Sequence, residues 1–199
     1  MASSAPFTLR AVSGLPTTPG TLSESTLLII DAQVEYTTGP LALAGIDRAV
    51  QNVAALLERA RAEGCPVVHV AHRGTAGGAF DPAAGGRIID SVEPIAGELV
   101  VSKDLPNAFA GTDLAEQLHS YGDRPLTICG FMTHMCVSAT ARAATDLGFD
   151  STVVGDATAT RSLPSTSGDG VVGAAALHEA ALAALADRFS VVAQTSDLL

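Results

Sequence analysis

The sequence predicts an α/β fold, a single three-layer α-β-α domain on a six-stranded, mainly parallel sheet. Two observations predict it. Short β-branched runs alternate along the chain with longer segments of helical period, the pattern of a parallel sheet covered by helices on both faces. The 199 residues, 47% of them hydrophobic, are enough for one core buried on both faces of such a sheet.

The elements follow in order. Residues 1–22, rich in Ser, Thr, Pro and Gly, read as an N-terminal arm or extension, and residues 23–199 as the domain. Leu27 to Asp31 (LLIID) is the first strand. After a loop over Gln33 to Gly45, the apolar residues Ile46, Val50, Val53, Leu56, Leu57 and Ala60 recur at helical spacing, and Gly64 supplies the stop. Pro66 opens the second strand, VVHVAH. The Gly-rich stretch RGTAGGAFDPAAGGR that follows reads as a mobile loop; it has no GxxxxGK[ST] pattern to cradle a phosphate. Glu98 to Ser102 is the third strand, Thr112 to His119 a helix capped by Thr112, and Leu126 to Cys129 the fourth strand. A helix begins near Met135, with Val137, Ala141, Ala144 and Leu147 on its apolar positions and Gly148 as its stop. Ser151 to Val154 is the fifth strand, Val171 to Ala186 the last long helix, and Val191 to Ala193 the sixth strand.

Composition removes several classes of function. The 21 acidic residues outnumber the 11 basic ones, and a net charge of −10 repels a phosphate backbone, so nucleic acid is excluded as a partner. No apolar run reaches the length of a membrane span, and the N-terminus MASSAPFTLRAV lacks the layout of a secretion signal. A cytoplasmic protein without a membrane partner is expected. Cys65, Cys129 and Cys136 are an odd number without CxxC spacing, which argues for reduced thiols rather than a disulfide framework or a structural zinc site.

In an open parallel sheet, ligands bind outside the carboxyl ends of the strands. Three chemically competent residues fall there. Asp31 ends the first strand, where partial desolvation raises a carboxyl pKa and lets it accept a thiol proton. Lys103 follows the third strand and would supply positive charge to a thiolate or a developing oxyanion. Cys136 lies after the fourth strand, in the first turn of a helix, where unpaired amides favour a thiolate. Cys65 and Cys129 lack that setting and read as inert core thiols.

These stretches together resemble the isochorismatase-like cysteine hydrolases, a superfamily that includes nicotinamidases, N-carbamoylsarcosine amidohydrolases and streptothricin hydrolases. The resemblance rests on LLIIDAQ around Asp31, KDLPNAF from Lys103 to Phe109, and GFMTHMCVSATARAATDLGF around Cys136. It implies an Asp31-Lys103-Cys136 triad that opens a small-molecule C–N bond (amide, ureido or lactam) through a thioester. It further implies an oxyanion hole from the backbone amides of Met132 and Cys136, a cis peptide between Phe131 and Met132, and a homodimer or higher homo-oligomer. Gln33, Tyr36, Phe80, Asn107, Phe109, Thr133 and His134 are the candidate substrate-binding residues.

Departures from the family pattern narrow the substrate. Nicotinamidases carry a metal-binding Asp-Trp-His segment after the second strand, where this chain reads HVAHRG, with His72 and Gly74 in the positions of the metal-binding Asp and His. His69 and His72 stand at an odd spacing along one strand and so fall on opposite faces. No metal and no other cofactor is expected. Asn107 replaces a serine common in the family, and His134 stands where nicotinamidases commonly have Asp. Two alternatives to a C–N hydrolase remain. One is an isochorismatase-type vinyl-ether hydrolase, which needs no cysteine nucleophile; the other is a non-catalytic binding or assembly paralogue.

Overall fold

The computed structural model describes residues 6–199. Its centre is a six-stranded sheet of β1 (Thr26–Ile30), β2 (Val67–His72), β3 (Leu99–Lys103), β4 (Leu126–Phe131), β5 (Ser151–Ala159) and β8 (Val191–Ala193). The strand order is β3-β2-β1-β4-β5-β8, and all five neighbouring pairs run parallel. The chain therefore builds outward from β1 through β2 to β3, then returns to β1's other side with β4. That reversal leaves a crevice at the carboxyl ends of β1 and β4, the place where such sheets bind ligands.

Each face of the sheet has its own apolar layer. Alternate residues of β1 point to opposite faces. Leu27 and Ile29 meet Val53, Leu56, Leu57 and Ala60 of α2 (Ile46–Glu63). Leu28 and Ile30 belong to the other layer, with Leu114 and Leu118 of α3 (Leu114–Ser120), Ala141 and Ala144 of α4 (Ser138–Asp146) and Leu185 of α5 (Ala174–Arg188). Burial on both faces explains why the strands read as apolar runs rather than alternating ones.

Several boundaries differ from the sequence expectation, each for a tertiary reason. β4 runs on to Phe131, because Gly130 and Phe131 pair with Thr158 and Ala159 of a β5 that is itself longer than expected. Lys103 is the last residue of β3 rather than the first beyond it, paired with His72. α3 begins at Leu114, while Thr112 holds the preceding turn by donating to the Ala108 carbonyl. Val171 and Val172 are not helical. They form β7 (Val171–Val172), an antiparallel ribbon with β6 (Leu163–Pro164), and α5 starts only after Gly173.

Of residues 1–22, expected as an N-terminal arm, residues 1–5 lie outside the described residues, and the part around Leu9 and Arg10 packs on the domain. A short helix, α1 (Leu9–Val12), buries Arg10, whose guanidinium donates to the carbonyls of Pro16, Arg188 and Phe189. The Leu9 amide donates to Asp187 near the end of α5 at 2.8 Å.

Candidate active site

Asp31 leaves β1 in the left-handed region at φ 47°, unusual for a residue with a side chain, and its amide donates to the Val70 carbonyl. The turn at Asp31 brings its carboxylate to Lys103. Lys103 reaches it from β3, two strands away. The lysine Nζ donates to Asp31 Oδ2 at 2.7 Å and approaches Cys136 Sγ at 3.4 Å. All three side chains are buried, Asp31 and Lys103 almost completely. The other carboxylate oxygen, Oδ1, is buried without a partner.

Cys136 sits in a π-helical turn, Thr133–Val137, that connects β4 to α4. The Met132 carbonyl accepts from the amides of both Met135 and Val137, which winds the turn tightly. Just before it, the Phe131–Met132 peptide is cis, where the family resemblance places one. Gly130 is required there. Its φ is 105°, and a Cβ would stand 2.0 Å from the Ile30 carbonyl oxygen, so β4 can approach β1 this closely only without a side chain.

The electrostatics correct one expectation. A helix start and a neighbouring ammonium suggest a resting thiolate, but burial and the Asp31 carboxylate outweigh Lys103 and push the Cys136 thiol up to about 12. Both effects favour the protonated thiol over the thiolate. Burial likewise raises Asp31 against the pull of Lys103, which suits a proton acceptor better than an ordinary surface carboxylate.

The candidate substrate residues divide into three groups. Tyr36, Phe80, Thr133 and His134 gather around the triad or its turn. Tyr36 is buried, lies edge-on to Phe80 and Phe131 at 5.3 and 6.0 Å between ring centroids, and has its phenol pushed upward by burial, then by Asp31 and Cys136. Phe80 also meets His72 at 5.0 Å. Thr133 Oγ1 bonds to Thr158 and His178, and His134 Nδ1 to Thr160 Oγ1 at 2.5 Å, leaving His134 Nε2 buried without a partner. Gln33 is a brace rather than a free amide: its Oε1 accepts from the His72 amide and its Nε2 donates to the carbonyls of His72 and Gly86. Asn107 and Phe109 form the third group. Asn107 Oδ1 accepts from the Phe109 amide, and the Phe109 ring stacks on Phe149 at 5.9 Å, in the helical layer of the core.

The Gly-rich segment, read as a mobile loop, is tied to the chain just after β1. The amides of Val34 and Glu35 donate to the carbonyls of Arg87 and Gly85, and the Phe80 amide donates to the Glu35 carboxylate. Gly86 lets the segment fold back on itself, since a Cβ there would meet the Phe80 oxygen at 2.2 Å. Phe80 is thereby held against Tyr36 and His72. His69 and His72 do fall on opposite faces: His69 is buried against Glu98, 3.0 Å away, whereas His72 faces Phe80. Among the described residues, no three His, Cys, Asp or Glu side chains gather as metal ligands would.

Arg161 went unnoticed in the sequence. Its charge is felt at both Tyr36 and His134, its Nε is buried without a partner, and among the described residues no carboxylate lies within ion-pair distance of it. A lone arginine after a strand carries no motif. Only the fold brings it near Tyr36 and His134.

The architecture belongs to a known class of α/β hydrolases. Residues 25–197 match the isochorismatase domain, and the chain belongs to that family of hydrolases. A crystal structure of an isochorismatase from Pseudomonas putida KT2440 superposes with a TM-score of 0.93 at 46% identity, covering 98% of this chain and all of that one. The secreted isochorismatase effector Isc1 of Verticillium dahliae is 37% identical over 95% of this chain and 97% of its own length. A streptothricin hydrolase of Streptomyces noursei is 35% identical over 92% of this chain and 74% of its own. The relative named as secreted gives no support to the expectation of a cytoplasmic protein. No helix among the described residues is long and apolar enough to cross a membrane.

Proposed function

We propose that the protein is a cysteine hydrolase that opens a C–N bond in a small, carboxylate-bearing substrate through a thioester. The observation that carries this reading is the buried arrangement of Lys103 between Asp31 and Cys136, with Asp31 Oδ1 free to take a proton. In this reading Asp31 removes the Cys136 proton as the thiolate attacks the carbonyl carbon. Lys103 balances the charge, and the backbone amides of Met132 and Cys136 receive the oxyanion. The leaving amine takes the proton from Asp31 as the C–N bond breaks and the thioester forms. Asp31 then deprotonates water, which attacks the thioester, and the released thiolate recovers that proton.

Unpartnered Arg161 supports an anionic group on the substrate, since a planar guanidinium recognises a carboxylate through paired hydrogen bonds. It weighs against a polycation, although a streptothricin hydrolase is among the relatives. Two relatives named isochorismatases favour a second reading, in which the same pocket hydrolyses a vinyl ether without using Cys136 as nucleophile.

One panel separates them. Wild type and Cys136→Ala are assayed against linear amides, ureido acids and lactams, with and without a carboxylate, and against isochorismate, and the enzyme is quenched in turnover for intact-mass measurement. The thioester reading requires an acyl adduct on Cys136 and loss of turnover in the alanine variant. Full activity of Cys136→Ala on its best substrate would sink it.

A further inference from the structure

The turn that carries Cys136 is anchored from behind by a chain of hydroxyls whose protons can be counted. Thr133, wholly buried, opens that turn. Its Oγ1 has one proton and two partners, Thr158 Oγ1 at 3.0 Å and His178 Nδ1 at 2.9 Å. Thr158 gives its own proton to the Gly155 carbonyl at 2.8 Å, so towards Thr133 it can only accept. Thr133 therefore spends its proton on Thr158 and must accept one from His178. The hydrogen of the imidazole is on Nδ1. Burial disfavours the charged ring against the opposing pull of Glu179, which leaves Nε2 as a lone pair. The imidazole borders a cleft of about 430 Å³ between α2, β5 and α5, which Arg48, Asp156 and Gln194 also line.

We propose that His178 is a positioning residue for the reaction: its Nδ1–H fixes Thr133, and through Thr133 the turn on which the nucleophile and the oxyanion amides stand. His178 lies on α5, 42 residues beyond Cys136 in sequence, and bears on the reacting atoms only through the Thr133 hydroxyl. Misplacing catalytic groups by about 1 Å costs on the order of 100-fold in rate. A Thr133 that has lost its donor can still keep its bond to Thr158, so the expected loss is smaller, roughly 10-fold. The loss should fall on kcat with KM little changed, because the oxyanion amides act in the transition state rather than on bound substrate.

The proposal rests on the cysteine-hydrolase reading for its kinetic consequence but not for its structural one. The structural arm is a ¹⁵N–¹H NMR measurement of the His178 ring in the wild-type enzyme. It is expected to find the proton on Nδ1; an Nε2–H tautomer would overturn the proposal whatever the enzyme hydrolyses. The kinetic arm uses the best substrate of the panel. His178→Leu should lower kcat about 10-fold with KM unchanged. His178→Asn, whose amide nitrogen stands where Nδ1 does, should restore most of the rate, whereas His178→Gln, with its amide displaced outward, should not. Adding Thr133→Val to His178→Leu should cost no more than Thr133→Val alone. Equal kcat in the leucine and asparagine variants, or a change confined to KM, would overturn the proposal. A Cys136→Ala variant that keeps its activity would instead defeat the thioester reading and leave the Nδ1–H assignment standing.

Discussion

Lys103→Met tests the buried charge pair most directly. Methionine nearly matches the lysine stem but removes the ammonium, so the packing changes little while Asp31 loses its charged partner at 2.7 Å. Both side chains of the pair are sealed from solvent. Leaving one buried charge alone costs about 3–5 kcal/mol, a large fraction of a small domain's stability of roughly 5–15 kcal/mol. The carboxyl can avoid that cost by binding a proton. The variant should thus be destabilised by about 3 kcal/mol or more at pH 8 and by progressively less as pH falls, because Asp31, already raised, is raised further without Lys103. Adding Asp31→Asn should recover much of the loss, since removing both charges is far cheaper than removing one. Urea denaturation of the wild type and the two variants between pH 5 and 8 measures this. A Lys103→Met penalty below about 1 kcal/mol, the range of an exposed pair, or one that does not vary with pH, would refute the reasoning.

Other predictions follow from the same geometry. Activity should fall on the acid side at a pH above the ordinary carboxylate range of about 4, because burial raises Asp31 and its protonated form cannot accept the Cys136 proton; the pH profile of kcat/KM reads this limb. Gly130→Ala should lower the melting temperature sharply, since its Cβ meets the Ile30 carbonyl at 2.0 Å and both strands are buried. Arg161→Gln should raise KM for carboxylate-bearing substrates much more than for neutral analogues. Burial pushes Glu98 up, but Arg61, the Ile95 amide and His69 outweigh it and hold it down at about 2. Its contribution to stability should be complete above about pH 5 and lost as pH falls towards 2, and Glu98→Gln should flatten that part of the stability profile.

The grouping of Asp31, Lys103 and Cys136 was legible in sequence because it depends on residue types at strand ends. Apolar runs ending at Asp31, at Lys103 and shortly before Cys136 implied a common edge of a parallel sheet, and the sheet order places all three there. The protonation state of the thiol was not legible. A helix start and a lysine suggest a thiolate, but desolvation and the Asp31 charge depend on what surrounds the site, and together they keep the thiol protonated.

Residues whose roles depend on a distant partner were likewise hidden. Gln33 looked like a substrate contact until the backbone of β2 and of the Gly-rich segment took up its amide. Phe109 lies within a family motif, yet its ring stacks on Phe149. Arg161 and His178 carry no local signal; their significance comes from an absent carboxylate and from a hydroxyl 45 residues away. Sequence by itself determined the parallel sheet and most of the strand and helix pattern, and it pointed to Asp31, Lys103 and Cys136 as candidates, since periodicity and residue chemistry are local properties. Tertiary structure alone decided which polar atoms are satisfied, which charges are left unpaired and how deeply each is buried, because those depend on what the rest of the chain brings within hydrogen-bonding distance.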